Sequence, residues 1–175
     1  DISFDEDHSD LIGYTQTEIE KYFCNEINEI AIKQNKSVEQ IMVAIRNEYN
    51  GFNFGDKNNK LYNPWDINSF IKKKEFGSYW SDTGIPGAIS EYIKENSIDI
   101  QKIIDKERSK NLVASEMDLR VHDLRRLKPE VLFFNSGYLT IDYKDEKNHY
   151  YLKFSNNETE QVMLKYSLFK TDSVA

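Results

Sequence analysis

One cysteine, Cys24, in 175 residues excludes an internal disulfide and any zinc site built on several thiolates, and it fits a reducing compartment. No apolar run approaches the roughly 20 residues that span a bilayer, and no signal peptide opens the chain, so no membrane insertion is expected. There is no repeat, linker or low-complexity tract to divide it. Positive charge is scarce: 23 Lys and Arg face 30 Asp and Glu, a formal net charge of -7. Phosphate backbones are gripped by Lys and Arg displacing counterions, so nucleic-acid binding by this chain alone is disfavoured. The basic-leaning stretch from Lys102 to Lys128 reads as a solvated helix and loop face.

Aromatic residues are abundant, with 11 Tyr, 10 Phe and 2 Trp. A chain of this length buries roughly 70% of its unfolded-state surface, so it can build a core without a staple or a metal. The abrupt opening at Asp1 suggests a fragment of a larger multidomain protein.

Local signals divide the chain into helices. Thr15-Gln16-Thr17-Glu18 is a capping box, followed at helical spacing by Ile19, Phe23, Ile27, Ile30 and Ala31. Within that helix Cys24 is expected to be a small buried hydrophobe. Ser37-Val38-Glu39-Gln40 repeats the box, and Ile41, Ala44, Ile45 and Tyr49 carry a helix towards Gly51 as its stop. "GFNFGDKNNKLYN", Gly51 to Asn63, suggests a small hairpin or packed loop about a Gly-Asp-Lys-Asn-Asn turn. Asn63-Pro64 starts a helix running to about Lys74, Pro86 starts the next, and Ile98 to Ile104 suggests one more. Two alternating runs, Tyr138 to Tyr143 and Tyr150 to Phe154, predict a β-hairpin, and Asn156 onward returns to helix through Val162, Leu164 and Leu168. The expectation is one mainly α domain over 1–175, with about six or seven helices in one or two lobes and a small β-hairpin in the last third.

No catalytic set emerges. Gly51-Phe52-Asn53-Phe54-Gly55-Asp56-Lys57 has the wrong spacing for a phosphate loop and places an acid where phosphates would sit. His8, His122 and His149 are far apart, Asp142-x-Lys144 reads as a surface hairpin rather than a nuclease strand, and no Gly-x-Ser-x-Gly elbow is present. Neither a cofactor nor a metal is expected. The stretch "FGSYWSDTGIPGAISEYI", Phe76 to Ile93, reads as a helix corner with Tyr79, Trp80 and Ile85 filling the core, Trp80 against Tyr79, Phe76 and Ile89. Its functional reading is a partner-binding loop of Asp82, Thr83, Gly84, Ile85 and Pro86, whose small residues allow a partner's backbone close approach.

Four strings, "IGYTQTEIEKYF", "EYNGFNFGDKNNKLYNPWDI", "YWSDTGIP" and "LFFNSGYLTI", together resemble the C-terminal part of bacterial AAA-ATPase-like proteins, in which an ATPase core is typically followed by a PD-(D/E)xK nuclease domain. The resemblance implies that the phosphate loop and metal-binding acid lie upstream of Asp1, that the nuclease lies downstream of Ala175, and that these residues form a helical lid with a trailing hairpin. It brings no catalytic residue with it. The pattern slips at "KFSNNETEQ", where Ser155 and Thr159 stand in place of a proline and an aliphatic residue. The resemblance implies a non-catalytic module acting on an ATPase core in the bacterial cytoplasm. The Ile-, Lys- and Asn-rich composition, together with this loop, motivates the alternative: a guanine nucleotide exchange factor of a secreted bacterial effector, acting in a host cytoplasm on a Rho-family GTPase of Rac or Cdc42 type.

Overall fold

The two capping boxes form as the residue types require. The Glu18 amide donates to Thr15 Oγ1 at 3.2 Å while the Thr15 amide donates to the Glu18 carboxylate at 2.8 Å. Gln40 and Ser37 repeat the exchange at 3.2 and 2.9 Å. Each box satisfies backbone donors that the first helical turn leaves without partners. They start α1, Gln16–Tyr22, and α3, Val38–Tyr49.

The computed structural model describes residues 11–53, 60–80, 85–121 and 127–171. The helix expected after Thr15 breaks at Phe23, whose φ of -117° and ψ of 16° are not helical, and α2 begins anew at Cys24–Lys33. Ile19, Ile27, Ile30 and Ala31 are buried as the spacing requires, but Cys24 is exposed. The break turns the first residue of α2 outward, which corrects the expectation of a buried thiol.

Strands β1, Asn50–Phe52, and β2, Leu61–Tyr62, pair antiparallel, and an isolated bridge ties Tyr14 to Tyr62. The Gly-Asp-Lys-Asn-Asn turn lies outside the described residues. Asn63 caps α4, Pro64–Lys73, by accepting from the Trp65 amide at 2.9 Å, and left-handed Lys74 ends it. Pro86 is the cap before α5, Gly87–Glu95, and Asp99 caps α6, Ile100–Arg108.

Three elements lacked a sequence expectation: β3, Val113–Ser115, α7, Glu116–Leu119, and α8, Pro129–Asn135. The expected hairpin is β4, Leu139–Lys144, with β5, His149–Phe154, and β3 joins the far side of β5 to give the order β3-β5-β4. The chain ends in α9, Asn157–Thr171, along which Val162 and Met163 are buried while Leu168 faces solvent. The fold is mainly helical. It has nine helices among the described residues instead of six or seven, and two small sheets: β1-β2 at the stretch read as a small hairpin or packed loop, and the expected last-third hairpin widened to three strands by β3.

Two hydrophobic clusters form. The first joins Ile19, Ile27, Ile30, Ile41 and Ile45 of α1–α3 to Ile67 and Phe70 of α4 and to Tyr79. Tyr49 is buried within it: its ring stacks on Phe76 at 6.1 Å, and its hydroxyl donates to the Gly77 carbonyl at 2.9 Å and accepts from the Gly77 amide at 3.1 Å. The second gathers Ile93, Ile104, Phe133, Leu139, Leu152 and Met163 from α5, α6, α8, the three-stranded sheet and α9. Each fully buried aliphatic or aromatic side chain contributes about 1.5–3 kcal/mol of burial.

The chain crosses between the clusters at Tyr79–Trp80. Tyr79 belongs to the first, and Trp80 packs on the second with its ring 4.7 Å from Tyr138. Phe76 stays with the first cluster, so Trp80 is separated from Tyr79 and Phe76 rather than packed with them.

Candidate functional site at the seam between two clusters

Polar groups help stitch the clusters together. Between β1 and β4, the amide of buried Asn53 donates to Thr140 Oγ1 at 2.6 Å, and that hydroxyl donates back to the Asn53 carbonyl at 3.0 Å. Gly51 approaches the end of β5 so closely that a Cβ built on it would stand 1.7 Å from the Ser155 carbonyl oxygen, and its φ of +130° also requires glycine. Gly51 follows Asn50, the cap residue of α3, as expected of a helix stop, and it serves a close backbone approach as well.

Ser155 and Thr159 also lie at this seam. Ser155 Oγ donates to the Gly137 carbonyl at 2.9 Å, and the Thr159 amide donates to Asn156 Oδ1 at 3.0 Å while Thr159 Oγ1 accepts from the Asn156 amide. Both are buried, and the second exchange caps the start of α9.

Beside that start, Asp66 of α4 and Glu158 of α9 meet inside the protein, with exposures of 0% and 3%. Glu158 Oε1 accepts from the Trp80 amide at 2.8 Å. Neither Asp66 oxygen has a donor in good hydrogen-bond geometry, although the Trp80 amide is close enough to favour the charged form slightly. Burial, then the charge of Glu158 and a hydrogen bond with it, push the Asp66 carboxyl up to about 8. Two buried carboxylates brought together repel, which favours the protonated form of Asp66. Burial likewise raises the Tyr49 hydroxyl, within reach of both acids, and pushes Tyr138 up to about 12.

A cleft of about 300 Å³ opens at the same seam, lined by Gly13, Phe52, Tyr62, Trp80, Asn135 and Gly137 among others. Two large apolar side chains stand exposed near it: Ile12, a lining residue, at 56%, and Trp65, next in the chain to the lining residue Pro64, at 59%. The Trp65 indole N–H reaches the Tyr79 carbonyl at 3.4 Å. Asn63, Asn135 and Ser136 add polar groups to the walls.

Among proteins of known sequence, the chain resembles one described as an uncharacterized protein in the vnfD 5′ region of Azotobacter chroococcum mcd 1. The two are 28% identical over 174 residues, which cover 95% of this chain and 30% of that protein. The chain thus spans about a third of the length of its relative. No family model matches the chain, and no solved structure matches it.

Of the sequence-predicted partner loop, Asp82, Thr83 and Gly84 lie outside the described residues. Ile85 packs half-buried on the second cluster, and Pro86 is exposed at the cap of α5. Neither lines the cleft, whose nearest contribution from this stretch is Trp80. Sequence reasoning missed Asp66 and Glu158, since acids in the first turn of a helix ordinarily face solvent and favour the helix dipole.

Asp142 and Lys144 do not form a nuclease-like set. A bulge between Ile141 and Tyr143 separates them; Asp142 pairs with Lys153 at 2.5 Å, and Lys144 lies over the Tyr150 ring at 4.8 Å. His149 meets Asp145 across the hairpin turn at 3.1 Å. No group of three or more potential metal ligands converges among the described residues. No helix among them is long and apolar enough to cross a membrane. In the basic-leaning stretch, Arg108, Arg120 and Lys128 lie within 3.7, 2.9 and 2.8 Å of Glu160, Glu116 and Asp118.

Proposed function

We propose that the chain is a non-catalytic interaction and regulatory module that acts on a nucleotide-binding protein domain in the manner of an AAA-ATPase-like lid. The observation that carries this reading is the pair of large apolar side chains exposed near the seam cleft. Trp65 and Ile12 expose large side chains beside a concave site, and exposed aromatics flanking a pocket are the residues that typically anchor a protein partner. The resemblance of the four strings, each of which supplies residues to the cleft, among them Gly13, Phe52, Trp80 and Gly137, supports an ATPase core as that partner. A bacterial cytoplasmic setting goes with this reading, as does a place within a larger multidomain protein.

Affinity capture from a bacterial lysate, with and without ATP, tests it. Retention of an ATPase core that depends on nucleotide and is lost in Trp65→Ala is expected. Capture that ignores both nucleotide and the substitution refutes the reading.

One observation favours the exchange-factor alternative. Pro86 and Gly87 stand exposed at the start of α5, and a Cβ placed on Gly87 would meet nothing within 4 Å, so a GTPase backbone has room to approach there. Faster release of fluorescent GDP from Rac-, Cdc42- or Rho-type proteins on adding the chain is the expected result. Release at the spontaneous rate rejects it.

A further inference from the structure

We infer that the polar cavity where α3 and β1 meet the end of β5 and the start of α9 binds a phosphate group carried on a small organic ester. The cavity holds about 270 Å³, and Arg46 of α3, Lys60 just before β2 and Lys153 of β5 all line it. Its remaining walls are asparagines, a serine and a glycine, and among the described residues no Asp or Glu lines it. In a chain of 30 acids and 23 bases, a concavity with three cations and no carboxylate inverts the overall balance. Cations that share one concavity repel, and an anion placed among them removes that repulsion.

Two of the three cations are uncommitted. Lys153 pairs with Asp142 at 2.5 Å, but neither the Arg46 guanidinium nor the Lys60 ammonium has a carboxylate within ion-pair distance among the described residues. The start of α9 adds neutral donors. Asn156 turns Oδ1 to the Thr159 amide at 3.0 Å, which leaves its Nδ2, closed off from solvent, without an acceptor. A buried donor without an acceptor is costly, and an oxyanion in the cavity that Asn156 lines can supply one. Asn157, the next lining residue, opens the 15-residue α9 and carries one of the amides that a helix start leaves unpaired, at the positive end of the helix dipole.

These donors come from four separate stretches of chain, so they surround a ligand rather than meet it along one line. A phosphate monoester suits that arrangement better than a carboxylate, because it brings three acceptor oxygens and a charge approaching -2 at neutral pH. The volume lies close to the lower end of small-molecule sites, roughly 300 Å³, which leaves room for the group that carries the phosphate. The cavity shares no lining residue with the seam cleft, so a phosphate here does not depend on which protein occupies the cleft.

Titration with inorganic phosphate at pH 7.5 and low ionic strength, followed by amide shifts in NMR, tests the inference. Saturable shifts at Gly51, Asn156 and Asn157 are expected, with affinity weakened about tenfold in the double variant Arg46→Gln/Lys60→Gln. Both side chains are exposed, so the variant should keep the wild-type melting temperature. The control Lys72→Gln/Lys94→Gln removes equal charge from exposed positions of α4 and α5 outside the cavity and should leave affinity unchanged. Glycerol phosphate and a phosphoserine peptide distinguish a free ester from a phosphorylated chain, and one of them should bind more tightly than the inorganic ion. Equal weakening in the control, non-saturating shifts scattered over surface lysines, or acetate binding as tightly as phosphate would each overturn the site. So would both esters binding more weakly than inorganic phosphate.

Discussion

Gly51→Ala isolates the closeness of the seam from every other property of the protein. A methyl at this position would stand 1.7 Å from the Ser155 carbonyl oxygen and 2.9 Å from its carbon, and both are backbone atoms that cannot swing aside. To reach an ordinary contact, β1 must withdraw from the end of β5, pulling on the Asn53–Thr140 hydrogen bonds two residues on. Overpacking a tight contact costs about 1–3 kcal/mol. An alanine held at a φ of +130° adds about 1–3 kcal/mol of backbone strain. Together these amount to about 2–6 kcal/mol, or roughly 5–20 °C in melting temperature for a domain of this size. Thermal unfolding followed by circular dichroism, with a urea titration beside it, reads the loss. Gly87→Ala is the control: it lies at the start of α5 with nothing within 4 Å of the added methyl, so it should be neutral or slightly stabilising. A Gly51→Ala protein that melts with the wild type would refute the claim that the seam requires bare backbone there.

Stability is expected to fall as pH rises from about 4 to about 8. The folded state keeps on Asp66 a proton that the unfolded chain gives up near 3.8, so unfolding releases a proton across that window, with a slope of up to about 1.4 kcal/mol per pH unit. Urea titrations of Asp66→Asn should retain only the shallower slope from Glu107, which burial raises in the same sense; a full slope in the variant contradicts the assignment. Tyr49→Phe deletes a buried hydroxyl that both donates to and accepts from Gly77, and a loss of about 1–3 kcal/mol in the same titration is expected; no change would show that the pairing is dispensable. Trp65→Ala should leave the melting temperature within a degree or two while weakening partner capture, and a large loss of stability would show that the side chain is structural. Exposed Cys24 should react fully with a thiol reagent in the native state, whereas reaction only after denaturation would place it inside.

Capping boxes at Thr15 and Ser37, the Asn63-Pro64 start and the alternation from Tyr138 to Phe154 were legible because each is decided by neighbours a few residues apart. That local determination is why the mainly helical class and the hairpin could be read directly from residue order. It fails at short elements: β3 has three residues and no alternation of its own, and it is a strand because Val113 to Ser115 find the free edge of β5. The break at Phe23, which exposes Cys24, leaves no mark in the apolar spacing, because Ile19 and Ile27 remain on the buried side across it.

The candidate site is tertiary almost throughout. Asp66 and Glu158 are separated by 92 residues of sequence, and either alone reads as an ordinary acid in the first turn of a helix. The Asp66 carboxyl is pushed up because the two helices meet away from water, where a lone charge is costly and a second one more so. Gly51 stands just past the end of α3 as a helix stop does, but its close approach to the end of β5 is visible only in the fold. Local chemistry along the chain determined where most helices and the hairpin begin. Packing of the two clusters decided which polar residues lost their water, and so which of them became the site.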